Sequence, residues 1–189
     1  MDNKETQYIR SCQRGELENF AGLYDLYVKK IYSFIYYRTH HTETAEDLTS
    51  LTFTKALEHI GSFKSSKGTF SSWLYQIARN TITDHYRQRR PTSDIEDAWD
   101  LSSDTDIERD VDLRAKLAQV NRYLQGLPAQ QRDIVLMRVW DGLSHREIAE
   151  ILGISEANSK VIYSRTLAKL NQAVGVAAVI TFLMINNLG

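Results

Sequence analysis

The sequence predicts an all-α protein made of two small helical domains that a flexible acidic linker joins. Three observations predict this fold class. Apolar residues recur at three- and four-residue steps through most of the chain, no alternating strand pattern of useful length occurs, and an acidic run interrupts the helical periodicity. With 189 residues, of which 42% are hydrophobic, the chain can bury one or two cores. We therefore expect domains at 1–90 and 113–172, a linker at 91–112, and an apolar tail at 173–189.

Cysteine and histidine usage excludes several kinds of site. Cys12 is the only cysteine, so the chain cannot form an intramolecular disulfide or a cysteine-based zinc site. The five histidines lack the spacing of metal ligands, and we therefore expect neither a metal nor another cofactor. The polar, mixed-charge first 18 residues do not resemble a secretory signal, so we expect a cytoplasmic protein.

The first domain is predicted to open with a helix whose apolar face begins at Leu17. Its buried side chains recur at helical spacing: Phe20, Leu23, Tyr24, Tyr27, Ile31, Phe34 and Ile35. Thr44 is predicted to cap a second helix, with Asp47 as the acidic residue three positions later. Gly61 is predicted to end that helix.

A polar loop at 62–69 is predicted to lead into a third helix, which begins at Phe70. The apolar residues of this helix share one face: Phe70, Trp73, Leu74, Ile77 and Ala78. The helix closes on a basic run that Pro91 ends, formed by Arg79, Arg87, Arg89 and Arg90.

Residues 92–112 carry nine acidic residues against one arginine. Such a self-repelling stretch with few aliphatic residues predicts a flexible linker. The formal net charge of the whole chain is only −1. Because these acids account for that near-neutral total, the rest of the chain is net basic, which is typical of nucleic-acid-binding proteins.

Helical periodicity resumes at Leu113 and predicts a second helical domain. Pro128 is predicted to lie in the first turn of a helix, where its missing N–H costs nothing. The pair Asp141-Gly142 is predicted to end that helix.

The sharpest local pattern, at 144–170, predicts a helix-turn-helix. Ser144 and Glu147 have the spacing of a capping box. Gly153 stands where a helix ends in a left-handed residue, and Ser155 is predicted to cap the next helix. Two short helices joined in this way place the second helix in the DNA major groove.

The second helix of this unit offers amide, hydroxyl and cationic groups to bases and phosphates. These groups belong to Asn158, Lys160, Tyr163, Ser164, Arg165 and Lys169. An ordinary helical hairpin with a solvated polar face would expose similar residues. We favour DNA binding because the capping box, the glycine turn and the basic second helix occur together and in register.

Short motifs across both halves of the chain carry a family resemblance. In the N-terminal half they are Ala45-Glu46-Asp47-Leu48-Thr49, Thr52-Phe53, Lys55-Ala56-Leu57, Gly68-Thr69-Phe70, Trp73-Leu74 and Ile77-Ala78-Arg79-Asn80. In the C-terminal half they are Leu127-Pro128, Gln131-Arg132, Asp141-Gly142-Leu143-Ser144, Glu147-Ile148-Ala149 and Leu152-Gly153-Ile154-Ser155. In order and spacing, residues 20–170 resemble the extracytoplasmic-function (ECF) sigma factors of the bacterial sigma-70-type family.

The resemblance implies a transcription initiation factor, without enzymatic activity of its own, that binds core RNA polymerase and promoter DNA. Many members of the family are held inactive by an anti-sigma factor, so we expect such a partner here as well. The resemblance implies no small-molecule substrate and no cofactor.

By this resemblance the first domain corresponds to sigma region 2, and its helix from Thr44 to Ile60 docks on the clamp coiled coil of the largest polymerase subunit. The expected polymerase contacts are Asp47, Leu48, Thr49 and Phe53. A place in the core explains Leu48 and Phe53 equally well, and Asp47 could be only a helix-capping acid.

The loop 63–69 and the helix after it are implied to recognise the −10 element as single-stranded DNA. Melted DNA exposes its bases to pockets and rings, while cations follow its backbone. The expected contacts are Lys64, Ser65, Ser66, Lys67, Thr69, Arg79, Asn80, Asp84 and Arg87. Phe70 and Trp73 could stack on bases, but their helical spacing favours burial.

The second domain corresponds to sigma region 4, which is implied to recognise the −35 element as a duplex. Its expected contacts are the six residues of the second helix named above, together with Arg146 as a phosphate partner. Family members usually have an aliphatic residue where this chain has Ser159, and often a cation where it has Ile162. We expect the first departure to loosen the packing of the recognition helix and the second to remove a DNA contact.

The segment 173–185 is almost wholly apolar, yet it is shorter than the roughly 20 residues that a membrane-spanning helix needs. We favour packing on the second domain, or binding of a partner, over contact with a membrane surface. The family resemblance does not explain this tail.

Two other classes of function account for less of the sequence. A stand-alone helix-turn-helix regulator accounts for 144–170 but leaves the first domain without a purpose, and the sequence has no Gly-rich phosphate loop or acidic pocket pattern. An enzyme could use Asp84 and His85 as an acid–base pair. These residues precede a run of arginines on one helix, which favours a nucleic-acid surface.

Overall fold

The computed structural model describes residues 3–88, 111–140 and 142–175. These residues form eight α-helices and contain no strand, which confirms the all-α prediction. They belong to two compact units, 1–100 and 101–189. The predicted linker at 91–112 lies almost wholly outside the described residues, and so does the tail beyond Gly175.

In the part of the chain that the structure describes, four helices belong to each unit. The first unit contains α1 (Asn3–Gln13), α2 (Phe20–Thr39), α3 (Thr42–His59) and α4 (Phe70–Gln88). The second contains α5 (Val111–Gln125), α6 (Ala129–Trp140), α7 (His145–Leu152) and α8 (Glu156–Val174). Every helix among the described residues is too short or too polar to span a bilayer.

Helix α1 was not predicted, because its polar sequence carries little apolar periodicity. Its inner face nevertheless buries Ile9 and Cys12, which are 5% and 3% exposed. Gly22 of α2 lies directly beneath Tyr8, since a Cβ atom at Gly22 would come within 2.5 Å of the Tyr8 ring. The missing side chain at Gly22 therefore allows α1 to dock closely on α2.

The cap of α3 differs from the prediction, which placed Thr44 at that position. The cap is His41, whose backbone is extended at φ −137° and ψ 120° and whose side chain accepts from the backbone N–H of Thr44. The two nitrogens, His41 Nδ1 and Thr44 N, are 3.2 Å apart. An imidazole nitrogen thus satisfies a free N–H of the first turn, and Thr44 lies buried inside the helix.

The core of the first domain lies among α2, α3 and α4. Its largest fully buried side chains are Leu23, Ile31, Ile35, Phe70, Leu74, Tyr75 and Ile82. Phe70 is wholly buried, as its helical spacing predicted, while Trp73 is half-buried and lies 5.5 Å from both Phe63 and Phe70, centroid to centroid. Stacking of Phe70 on a DNA base is therefore excluded in this conformation.

In the second domain, two arginines of α6 hold the chain turns on either side of that helix. Arg132 donates to the backbone oxygens of Leu124 and Leu127 at 2.8 and 3.0 Å, which ties down the end of α5. Arg138 donates to the backbone oxygen of Leu143 at 3.0 Å, immediately before the helix-turn-helix. Pro128 directly precedes α6, and its carbonyl accepts the first bond of that helix, from the Arg132 N–H at 3.1 Å.

Candidate nucleic-acid interface

The first helix of the helix-turn-helix, α7, begins with a complete capping box. The Glu147 N–H donates to Ser144 Oγ at 3.2 Å, and the Ser144 N–H donates to Glu147 Oε2 at 2.8 Å. These reciprocal bonds satisfy two backbone donors that the helix itself leaves free. The capping box predicted from the sequence is confirmed.

The turn between α7 and α8 also has the predicted geometry. Gly153 adopts the left-handed conformation at φ 66° and ψ 37°, which costs a residue without a side chain little. The Ile154 N–H then donates to Ala149 O at 3.0 Å. Ser155 caps α8 by accepting from the Asn158 N–H at 3.1 Å, so the angle between the two helices is fixed by local bonds.

A part-buried polar contact joins α7 to α8. His145 Nδ1 lies 3.0 Å from Ser159 Oγ, and Ser159 is completely buried. The Tyr163 ring packs edge-on against the imidazole at 5.4 Å. Ser159 was expected to loosen the packing of the recognition helix, but it is tightly packed and hydrogen-bonded.

The surroundings of His145 favour its neutral form. Burial is the largest cause that lowers the pKa of His145, and the positive charges of Arg138 and Lys160 lower it further. Glu156 acts weakly in the opposite direction. Burial likewise raises the pKa of Tyr163 above its usual value.

The outer face of the helix-turn-helix presents most of the predicted −35 contacts to solvent. The exposed members of that set are Arg146, Asn158, Lys160, Ser164, Arg165 and Lys169. Tyr163 is only half-exposed because its ring covers His145. Ile162 is half-buried.

Two cations on this face have acidic partners one turn away. Lys160 Nζ lies 2.6 Å from Glu156 Oε1, and Arg146 Nε lies 3.3 Å from Glu150 Oε1. The hydrogen bond from Lys160 is the main cause that lowers the pKa of Glu156. Such exposed pairs contribute little stability, so both cations can exchange their partner for a phosphate.

In the first domain, a short loop between α3 and α4 presents a polar, cationic tip. Residues 64–67 are all exposed and form a single 3-10 turn closed by the Lys67 N–H, which donates to Lys64 O at 2.9 Å. Gly68 follows with φ 154°, a value that favours glycine. Thr69 is half-buried and accepts from the Ser72 N–H at 3.2 Å, so it caps α4.

The helix α4 continues this polar surface. Asn80, Asp84 and Arg87 are exposed, and Arg79 is half-exposed. Asp84 is not isolated: its Oδ2 lies 3.8 Å from Nζ of Lys55 on α3, which also donates to Thr81 Oγ1 at 3.3 Å. Lys55 is therefore a further cation at this surface, and its sequence position alone gave no indication of that.

Of the four predicted polymerase contacts, only Asp47 is exposed. Leu48, Thr49 and Phe53 are about 95% buried, with exposures of 5%, 5% and 4%. Phe53 packs against Tyr24 with ring centroids 4.7 Å apart. In this conformation the three residues lie in the core of the domain. For Leu48 and Phe53 this was the alternative to polymerase contact in the sequence analysis.

The structure thus groups the predicted DNA contacts into two surfaces, one in each domain. Sequence patterns missed Gln13, whose amide bonds to the start of the loop, and His145, which joins α7 to α8. Neither contact has a local sequence signal, because the partners lie 14 to 50 residues away along the chain. Among the described residues, no cluster of side chains suits a metal ion.

Comparison with known protein families gives two matches in the expected order. A family model of sigma-70 region 2 matches residues 23–92, and a model of sigma-70 region 4 matches residues 117–170. Each match covers most of one helical domain. Helix α1 precedes the first match.

Individual relatives agree with these matches. The ECF RNA polymerase sigma factor BldN of Streptomyces coelicolor is 36% identical over 87% of this chain and 64% of its own length. The RNA polymerase sigma factor YlaC of Bacillus subtilis is 32% identical, with 82% of this chain and 92% of YlaC covered. The chain therefore spans slightly less than two thirds of BldN and nearly all of YlaC.

A solved structure supports the same fold. The sigma factor RpoE of Bartonella quintana, determined in complex with the anti-sigma factor NepR, matches with a TM-score of 0.70 at 23% identity. The match covers 84% of this chain and 98% of RpoE.

Proposed function

The chain belongs to the ECF group of RNA polymerase sigma factors, and on this basis we propose that it binds core RNA polymerase in the cytoplasm and directs it to specific promoters. In this proposal the first domain recognises the −10 element as single-stranded DNA. The second domain recognises the −35 element as a duplex. Catalysis of RNA synthesis belongs to the polymerase, so the chain itself is a transcription initiation factor.

The observation that carries the proposal is the exposed polar face of α8, held on α7 by fixed local geometry. The capping box, the left-handed Gly153 and the His145–Ser159 contact orient this helix before any DNA binds. Its outer face then offers an amide at Asn158, a hydroxyl at Ser164 and a guanidinium at Arg165. Such groups recognise base edges in the major groove, while Lys160 and Arg146 suit phosphates.

The proposed −10 surface consists of the loop 64–67 and the exposed side of α4. Three of its cations, Lys64, Lys67 and Arg87, are solvent-exposed and suit a single-stranded backbone. Asp84 is better assigned to holding Lys55 than to touching DNA, because a carboxylate would repel phosphates. Trp73 is half-buried and packs against Phe63, the residue directly before the loop, with ring centroids 5.5 Å apart.

We assign polymerase binding to the exposed side of α3, with Asp47 as its charged contact. Phe53 packs on Tyr24 of α2, and Leu48 and Thr49 are buried as well, so these three residues contribute indirectly. An anti-sigma factor is a further proposed partner, in line with the complex in which RpoE was solved.

Footprinting of the reconstituted holoenzyme on a promoter that it transcribes tests this function. We expect protection of the −35 duplex and permanganate reactivity of melted thymines at −10. Loss of the −35 footprint alone on substitution of Arg165, with residual melting at −10, would assign the two surfaces separately. Holoenzyme that protects neither element would contradict the proposal.

A further inference from the structure

We infer that Gln13 is a positioning residue for the DNA-contacting loop 64–67, which makes α1 part of the −10 recognition surface. The inference rests on the proposed function of that loop. Helix α1 lies outside the segment that the sigma-70 region 2 model matches, and no contact with DNA or polymerase was expected from it.

The side-chain amide of Gln13 spans the start of the loop. Its Nε2 donates to Ile60 O at 3.1 Å and to Phe63 O at 2.9 Å, so both hydrogens of the amide group can be used. The Phe63 N–H also donates to Ile60 O, at 3.1 Å. One side chain from a distant helix therefore fixes both ends of the 3-10 turn from which the loop departs.

The partners of Gln13 are well fixed in the domain. Ile60 and Phe63 are buried, and the Phe63 ring packs edge-on against Phe70 with centroids 5.6 Å apart. Gln13 is itself exposed, but its amide ends on the carbonyls of two buried residues. The loop 64–67 therefore begins at a rigidly held residue, Phe63, and only the tip of the loop is free to contact DNA.

Helix α1 is firmly docked, so it can serve as a template for the loop. Ile9 and Cys12 are buried against the domain, and Tyr8 closes over Gly22 of α2. A rigid support makes the two Gln13 bonds a constraint on the loop, because a mobile helix would simply move with it. Gln7 is an exposed residue of the same rigid helix, so it shares the support that Gln13 has and serves as a matched position for substitution.

The two elements also share a cleft of about 440 Å³. Helix α1 contributes Thr6, Ile9, Arg10 and Gln13 to its lining, and the loop contributes Phe63, Lys64, Ser65 and Ser66. Arg10 and Lys64 therefore place positive charge on both walls, where a DNA backbone would be attracted. The shape of this cleft depends on the loop conformation that Gln13 holds.

The test compares Gln13→Met with Gln7→Met in the full-length chain. Methionine keeps the length of the side chain but removes both donors. The first readout is amide hydrogen exchange at Phe63 and Lys67, whose N–H groups donate inside the turn and the loop. The second is the affinity of reconstituted holoenzyme for a single-stranded oligonucleotide carrying the −10 element, compared with duplex −35 DNA and with core polymerase binding.

For Gln13→Met we expect faster exchange at these two amides and a roughly fivefold weaker affinity for the −10 strand, the size expected for lost, partly solvated hydrogen bonds. Binding of −35 duplex and of core polymerase should stay unchanged, and Gln7→Met should match the unsubstituted protein throughout. Unchanged exchange at Phe63 and Lys67 would overturn the inference, and so would unchanged −10 affinity. Faster exchange throughout α1–α4 would also overturn it, because that result shows general destabilisation. If unsubstituted holoenzyme failed to bind the −10 strand, the proposed function itself would fail, and the exchange result would still decide whether Gln13 holds the loop.

Discussion

The imidazole of His145 and the hydroxyl of Ser159 lie 3.0 Å apart, from Nδ1 to Oγ, and join the first residue of α7 to the fourth residue of α8. Ser159 is fully buried at this contact. The relative angle of two short helices determines where a recognition helix meets the groove. A single polar pair therefore contributes to the geometry on which promoter recognition depends.

Replacement of Ser159 tests this contact. We expect Ser159→Ala to lower the free energy of unfolding of the second domain by about 1 kcal/mol, because a part-buried imidazole nitrogen loses its partner. Urea denaturation of the full chain, followed by hydrogen exchange in α8, measures the change. Ser164→Ala removes an exposed hydroxyl from the same helix and should leave stability unaltered. Equal stability of the two variants would mean that the His145–Ser159 contact contributes nothing.

The stability of the second domain should depend on pH through His145. Its pKa in the folded protein lies below the ordinary value, chiefly because of burial, so the unfolded chain binds the proton more readily. We therefore expect His145 to make its full contribution to the free energy of unfolding above about pH 6.5. That contribution should be lost progressively as the pH falls from there through the folded-state pKa. The measurement is the urea midpoint at several pH values.

His145→Gln should flatten that pH dependence, since an amide does not titrate in this range. His59→Gln, in the first domain, serves as the control and should retain it. A second domain whose stability rises on acidification would contradict this role of His145.

Arg165 provides the most direct test of base recognition. We expect Arg165→Ala to weaken binding of the −35 duplex by about 1–3 kcal/mol and to relax sequence preference at one position, provided that the guanidinium makes a bidentate base contact. Lys169→Ala should instead weaken all duplexes similarly and reduce the salt dependence by about one phosphate contact. Gel-shift titrations at several salt concentrations distinguish the two patterns. Unchanged affinity and preference would remove Arg165 from the recognition surface.

Asp47 is the one exposed member of the predicted polymerase contacts. We expect Asp47→Ala to weaken the binding of core RNA polymerase while its circular dichroism spectrum stays unchanged, because an exposed side chain contributes little to the fold. Competition against the unsubstituted chain measures the loss, with Asp25→Ala, which removes an exposed acid from α2, as the control. Undiminished competition by the Asp47 variant would exclude this contact.

The sequence predicted best those features whose hydrogen bonds are local. The hydrogen bonds of the helix-turn-helix caps join residues only a few positions apart in the chain, so the spacing alone indicates the geometry. These residues are Ser144, Glu147, Gly153 and Ser155. The cap of α3 was missed because histidine is an uncommon cap, and Thr44 competed for the role.

Tertiary contacts were beyond the reach of sequence patterns. The burial of Ser159 and the reach of Gln13 to Phe63 depend on how helices pack, and no periodicity encodes them. The family resemblance named Leu48 and Phe53 as contacts, but only packing shows that they lie in the core. Helix α1 escaped prediction for a related reason: two buried apolar residues, Ile9 and Cys12, are enough to dock it once α2 offers the gap at Gly22.

The most direct test of the central claim is to mix the purified chain with core RNA polymerase, separate the mixture on a sizing column, and transcribe a genomic fragment library with the eluted complex. We predict stoichiometric co-elution and discrete start sites that core polymerase alone does not produce, with shared sequence elements near −10 and −35 upstream of them. A chain that elutes separately and yields no new start sites would contradict the assignment as a promoter-directing subunit.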